Sequence, residues 1–173
     1  MEHSSQVIES PAATVITPEE LLELWQGHRR VTRKVIEAFP EDKIATYSLA
    51  GMRPCTELIR EIIGMSAYGV IGIATGKWEK IDPGKSVHDL VPPISTKKEL
   101  LQHWDEATET INSYWPQIST KRFMEREKAF GYWEGRCYSL MMYYIDNEIH
   151  HRGQMYVYLR SLGIKPPEFG DRS

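Results

Sequence analysis

YYIDNEIHHRGQMYVYLRSLGIKPP, residues 143–167, combines a helical period with a cluster of polar groups. At 100° per residue Leu140, Tyr144, Asn147, His151, Gln154, Tyr158 and Leu162 fall on one side of a helix. The side expected to be buried is therefore interrupted by hydrogen-bonding or metal-binding groups. The helix has a defined end: Gly163 suits the left-handed position after Leu162, and Pro166 and Pro167 bar continuation. Asn147 and His151, four residues apart, project side by side about one turn from each other, which lets two ligands on one helix grip one ion. The competing reading is a pair of core polar residues satisfied by neighbouring tyrosine hydroxyls.

A third ligand must come from another helix. Working back, Arg53-Pro54 introduces a second helix running to Thr75 and ended by Gly76, with the stripe Leu58, Glu61, Ile62, Met65, Tyr68, Gly69 and Gly72. Glu61 is a carboxylate among apolar residues, where an unpaired charge is costly. Either it is the third ligand, or it sits at the solvent edge or pairs with a basic residue such as Arg53 or Arg136. The helix-2 glycines follow no strand, and GMSAYG lacks a lysine, so they form no phosphate loop; they suit close approach of a neighbouring helix or substrate.

Two capping boxes mark further helices. Thr17-Pro18-Glu19-Glu20 opens the first, which continues through Leu21, Trp25, His28, Val31 and Val35 to Phe39 and stops at Pro40. Thr96-Lys97-Lys98-Glu99 opens the third, ending before Pro116. His28 and His103 lie near apolar sides and read first as packing residues. Residues 76–94 carry Pro83, Gly84, Pro92 and Pro93 and read as a long surface connection that can lie across the mouth of a site. From Gln117 to Trp133 the pattern alternates weakly, with a short extended segment at Phe123–Arg126 before the fourth helix near Glu134. Four helices of about twenty residues with no strand set predict an all-α four-helix bundle with a long loop between helices 2 and 3. Residues 1–16 read as a loose arm and 17–173 as one domain.

Composition narrows the function. The 173 residues suit a single core, and 21 basic against 24 acidic residues, a net charge of −3 without blocks of one sign, give no nucleic-acid footprint. The apolar stretch Ile62–Thr75 is too short to cross a bilayer and is broken by glycines, so no membrane span is expected. The N-terminus lacks the basic start and apolar core of a signal peptide, and the default location is cytoplasmic. Cys55 and Cys137 lack C-x-x-C spacing and read as reduced core thiols.

At DNEIHHRGQMYVYLRSLGIKPP the chain resembles the DinB/YfiT-like superfamily of metal-binding four-helix bundles, over Thr17 to about Phe169. Such proteins usually carry one histidine on helix 2 and an H-x-x-x-H pair on the last helix, which together hold a divalent ion such as zinc or nickel. By this resemblance the ligands fall on Glu61, Asn147 and His151, so two of the three depart from histidine. A carboxylate, an amide and an imidazole form a harder site than three imidazoles, holding zinc or nickel less firmly and tolerating manganese or magnesium better. Tyr68, Tyr144 and Gln154 are the candidates to orient a ligand or bound water. The resemblance implies a metal-dependent transferase using a low-molecular-weight thiol, or a related hydrolase, and a homodimer. The alternative is a non-catalytic, stress-related helical protein with a degenerate site.

Overall fold

The computed structural model describes residues 15–173. Of the expected arm, residues 1–14 lie outside the described residues, while Val15 and Ile16 are exposed.

Four long helices form as the capping and breaking signals require: α1 (Pro18–Ala38), α2 (Cys55–Thr75), α3 (Lys97–Tyr114) and, last in the chain, α5 (Cys137–Ser161). Both expected capping boxes close reciprocally. Thr17 accepts from the Glu20 amide and Glu20 from that of Thr17, and Thr96 and Glu99 pair in the same way. Gly76 ends α2 at φ 72° and Gly163 follows α5 at φ 75°, left-handed conformations that cost a residue with a Cβ free energy.

Two details of the chain differ from expectation. Between α3 and α5 the chain forms a short helix, α4 (Thr120–Met124), and an antiparallel hairpin of β1 (Arg126–Ala129) and β2 (Trp133–Arg136). The last helix therefore starts at Cys137 rather than near Glu134. Residues 133–136 are extended because they pair with 126–129, and the Cys137 amide still donates to the Glu125 carbonyl at 2.9 Å. The long connection is also more ordered than its prolines suggest. It contains a 3-10 turn, Val87–Leu90, fastened to α2 by Arg60, which donates to the carbonyls of His88 and Val91.

Helices α2 and α5 run antiparallel at the centre. Tyr158 Oη donates to the Arg53 carbonyl, Cys55 meets Met155, Glu61 meets Asn147 and His151, and Gly69 meets Tyr144, so numbers rise along one helix as they fall along the other. Helix α2 is long and apolar enough to cross a membrane by length and composition, but 72% of its most apolar window is buried within the bundle, as a core helix requires.

The apolar interior is divided. One cluster gathers Trp25, Trp115, Phe123, Phe130, Met141 and Tyr144 toward the hairpin end. The other gathers Ile36, Phe39, Ile59, Trp104, Tyr158 and Leu159 at the opposite end. Between them the buried polar groups His28, Arg29, Thr32, Ser66, Asn147, Glu148, His151 and Arg152 form a belt around α5.

Candidate metal centre

Glu61, Asn147 and His151 converge. Glu61 Oε1 lies 3.0 Å from His151 Nε2 and accepts from Asn147 Nδ2 at 2.9 Å, while Oε2 pairs with Arg53 Nη2 at 2.6 Å. Glu61 thus faces the α5 pair through one oxygen and Arg53 through the other, as the basic-partner reading expected. Burial alone would raise the Glu61 carboxyl, but hydrogen bonds from His151, Asn147 and Arg53 outweigh it and hold it at about 2. The group is therefore a carboxylate at every physiological pH.

Gln154 orients the imidazole. Its amide end lies 3.0 Å from His151 Nδ1 and braces the ring, and the way that amide faces decides which ring nitrogen carries the proton. With the proton on Nδ1 the Nε2 lone pair faces Glu61 Oε1, and with it on Nε2 that N–H donates to the carboxylate. The first arrangement calls for a cation shared by the two atoms, and the second is a closed hydrogen bond between α5 and α2. Asn147 adds a related signal: its Oδ1 is buried with no hydrogen-bond partner, and turning the amide over would direct that oxygen at Glu61 Oε1. One carboxylate oxygen, one imidazole nitrogen and one amide oxygen are a chemically sound donor set for a divalent ion, so the residues fit one. Arg53 opposes this by already balancing the Glu61 charge. Among the described residues, no group of three or more His, Cys, Asp or Glu side chains gathers in the way a conventional metal site would.

The expected supporting residues separate. Gln154 serves His151 as described. Tyr144 presses its ring onto α2 where Gly69 leaves room: a Cβ there would stand 2.5 Å from the Tyr144 ring, and the hydroxyl is buried without a partner. Tyr68 turns instead to the long connection, where its hydroxyl donates to the Leu90 carbonyl. His150 is exposed and meets the His151 ring edge-on at 5.1 Å between centroids. His103 lines a separate cavity of about 330 Å³ with Tyr68, Val91 and Pro92 and stands within 3.4 Å of Glu106, apart from Glu61.

Sequence reasoning missed the other half of the belt. Glu148 is fully buried on the α1 side of α5, accepting from Trp25 Nε1 at 3.1 Å and Thr32 Oγ1 at 2.6 Å. Arg29 stands 3.7 Å and Arg152 3.9 Å from it, and Arg152 also reaches the His28 carbonyl and Nδ1. Burial lowers the Arg29 guanidinium to about 10 against the pull of Glu148 and Asp105. His28 is accordingly a packing residue. The available signal was that α5 shows no single apolar face, as expected of a helix buried against α1 on one side and α2 on another.

No curated protein matches the chain. Solved structures that share its fold include two DinB-like proteins. A DinB-like protein, YjoA, from Bacillus subtilis is 19% identical with a TM-score of 0.68, the alignment covering 88% of this chain and 99% of that one. A DinB-like protein from Bacillus cereus ATCC 10987 is 21% identical with a TM-score of 0.63, over 87% and 95%. The model of the DinB family matches residues 12–172, from before α1 to the last turn of the chain, and the chain belongs to that family.

Proposed function

We propose that this protein binds one divalent cation through Glu61 Oε1, His151 Nε2 and Asn147 Oδ1 and works as a DinB-type metal-dependent enzyme, a transferase using a low-molecular-weight thiol or a related hydrolase. The observation that carries the reading is the convergence of Glu61, Asn147 and His151, with Glu61 Oε1 3.0 Å from His151 Nε2 and 2.9 Å from the Asn147 amide while Gln154 braces the ring from its other nitrogen. The DinB family is generally metal-associated, which supports it. A bound ion would supply Lewis acidity toward a thiol or water. The chain's own part is to hold the donors. Glu61 provides the anionic ligand, Gln154 fixes the ring, and the apolar clusters on either side limit water. With one imidazole the site favours zinc or nickel less than a three-histidine site does, and admits manganese or magnesium. We place the protein in the cytoplasm, consistent with two buried free thiols, and as a homodimer, with Tyr138, Met142 and Tyr143 among the exposed side chains of α5 that suit an interface.

Native mass determination during titration with zinc and manganese tests the site. Wild type is expected to take up one ion, His151→Ala to lose it, and Asn147→His to bind about tenfold tighter through the better donor. Equal metal content in wild type and His151→Ala would refute the reading. A second reading has its own observation in the Arg53 ion pair. With Glu61 already neutralised, an Nε2–H of His151 donating to Glu61 closes a hydrogen-bonded cluster that fixes the register of α2 against α5, and the protein is then non-catalytic.

A further inference from the structure

We propose that Arg53 is a built-in counter-ion for the site, competing with a metal ion for Glu61 and thereby setting how tightly the protein holds metal; the inference rests on the metal-binding reading above. The Arg53 guanidinium contacts Glu61 Oε2 at 2.6 Å, on the oxygen that faces neither Asn147 nor His151. Its backbone is anchored, because Tyr158 Oη donates to the Arg53 carbonyl at 2.9 Å and Pro54 follows as the N-cap of α2. The side chain is thus delivered to Glu61 from a fixed point while remaining 40% exposed.

Two effects of such an arginine oppose each other. By hydrogen-bonding Oε2 it orients the carboxylate so that Oε1 points at the α5 donors, which favours metal. By carrying a positive charge it repels a divalent ion on the neighbouring oxygen and satisfies the carboxylate without one, which disfavours metal. Charge prevails on magnitude. Even at the dielectric of water, unit and double charges about 5 Å apart repel enough to weaken binding about tenfold, whereas one exposed orienting contact changes affinity severalfold at most. The donor set therefore has a cation resident before any metal arrives, and the metal must overcome it.

Calorimetric titration of zinc and manganese into wild type, Arg53→Gln, Arg53→Lys and the double variant Arg53→Gln/His151→Ala tests this, with circular dichroism confirming that each variant is folded. Arg53→Gln keeps a donor without the charge and is expected to bind about tenfold tighter than wild type, while Arg53→Lys keeps the charge and stays near wild type. The double variant is expected to lose the gain, which locates the ion at His151. Equal or weaker binding by Arg53→Gln overturns the inference, and if wild type binds in a His151-dependent way the metal reading survives that failure. Binding by Arg53→Gln where wild type binds nothing upholds the inference and removes the proposal of a loaded wild-type site. Absence of binding by both overturns both.

Discussion

Replacing Glu148 by leucine is the most informative perturbation of the belt that divides the core. The carboxylate is fully buried, with Trp25 Nε1 at 3.1 Å, Thr32 Oγ1 at 2.6 Å, Arg29 at 3.7 Å and Arg152 at 3.9 Å. Leucine removes the carboxylate that, among the described residues, alone pairs with Arg29, which is 1% exposed, and strands a buried indole N–H. Breaking a buried ion pair from one side costs about 3–5 kcal/mol. Against a stability of about 5–15 kcal/mol for a domain, that is about a fifth or more of the total. At about 2–4 °C per kcal/mol for a chain of this length, the melting temperature should fall by roughly 6–20 °C. Urea unfolding followed by far-ultraviolet circular dichroism measures the loss, with the denaturant slope expected to stay constant. The double variant Arg29→Met/Glu148→Leu should recover part of it, because the stranded charge leaves with its partner. A loss below about 1 kcal/mol in the single variant, or a double variant no more stable than the single, would refute the reasoning.

Three further outcomes are expected. Tyr144→Phe should leave stability unchanged or raise it by up to about 1 kcal/mol, since the buried hydroxyl has no partner; a clear loss in chemical denaturation would reveal a water or ligand bound there. Gly69→Ala should destabilise by about 1–3 kcal/mol because the new Cβ would meet the Tyr144 ring at 2.5 Å, and Gly69→Ala/Tyr144→Leu should restore much of it in the same assay. Burial, with Arg152 and Arg172 adding to it, lowers His28 from 6.5 to about 4, so the folded protein resists a proton that the unfolded chain accepts. Its stabilising contribution is complete above pH 6.5 and lost as pH falls toward about 4; His28→Gln should flatten the pH dependence of the melting temperature across that window, and an unaltered slope would count against the assignment.

The sequence by itself determined the long helices and their ends, because those signals are local. Thr17 and Thr96 reach amides three residues away, prolines lack the amide a helix needs, and Gly76 and Gly163 adopt left-handed backbone without penalty. It also singled out Glu61, Asn147 and His151, since a polar residue inside an apolar stripe stands out against the helical period, and family resemblance supplied the pairing across the bundle. The hairpin escaped notice because β1 and β2 are four residues each and are stabilised by each other rather than by their own propensity. Only tertiary structure decided the rest. A side chain's partner in another helix has no fixed spacing in sequence, so the structure alone shows that Tyr68 turns to Leu90, that Arg53 rather than Arg136 claims Glu61, and that Glu148 is buried between two arginines. Periodicity assigns one buried stripe per helix, but α5 packs against α1 and α2 at once, and a charge on its second buried face looks in sequence like an ordinary solvated residue.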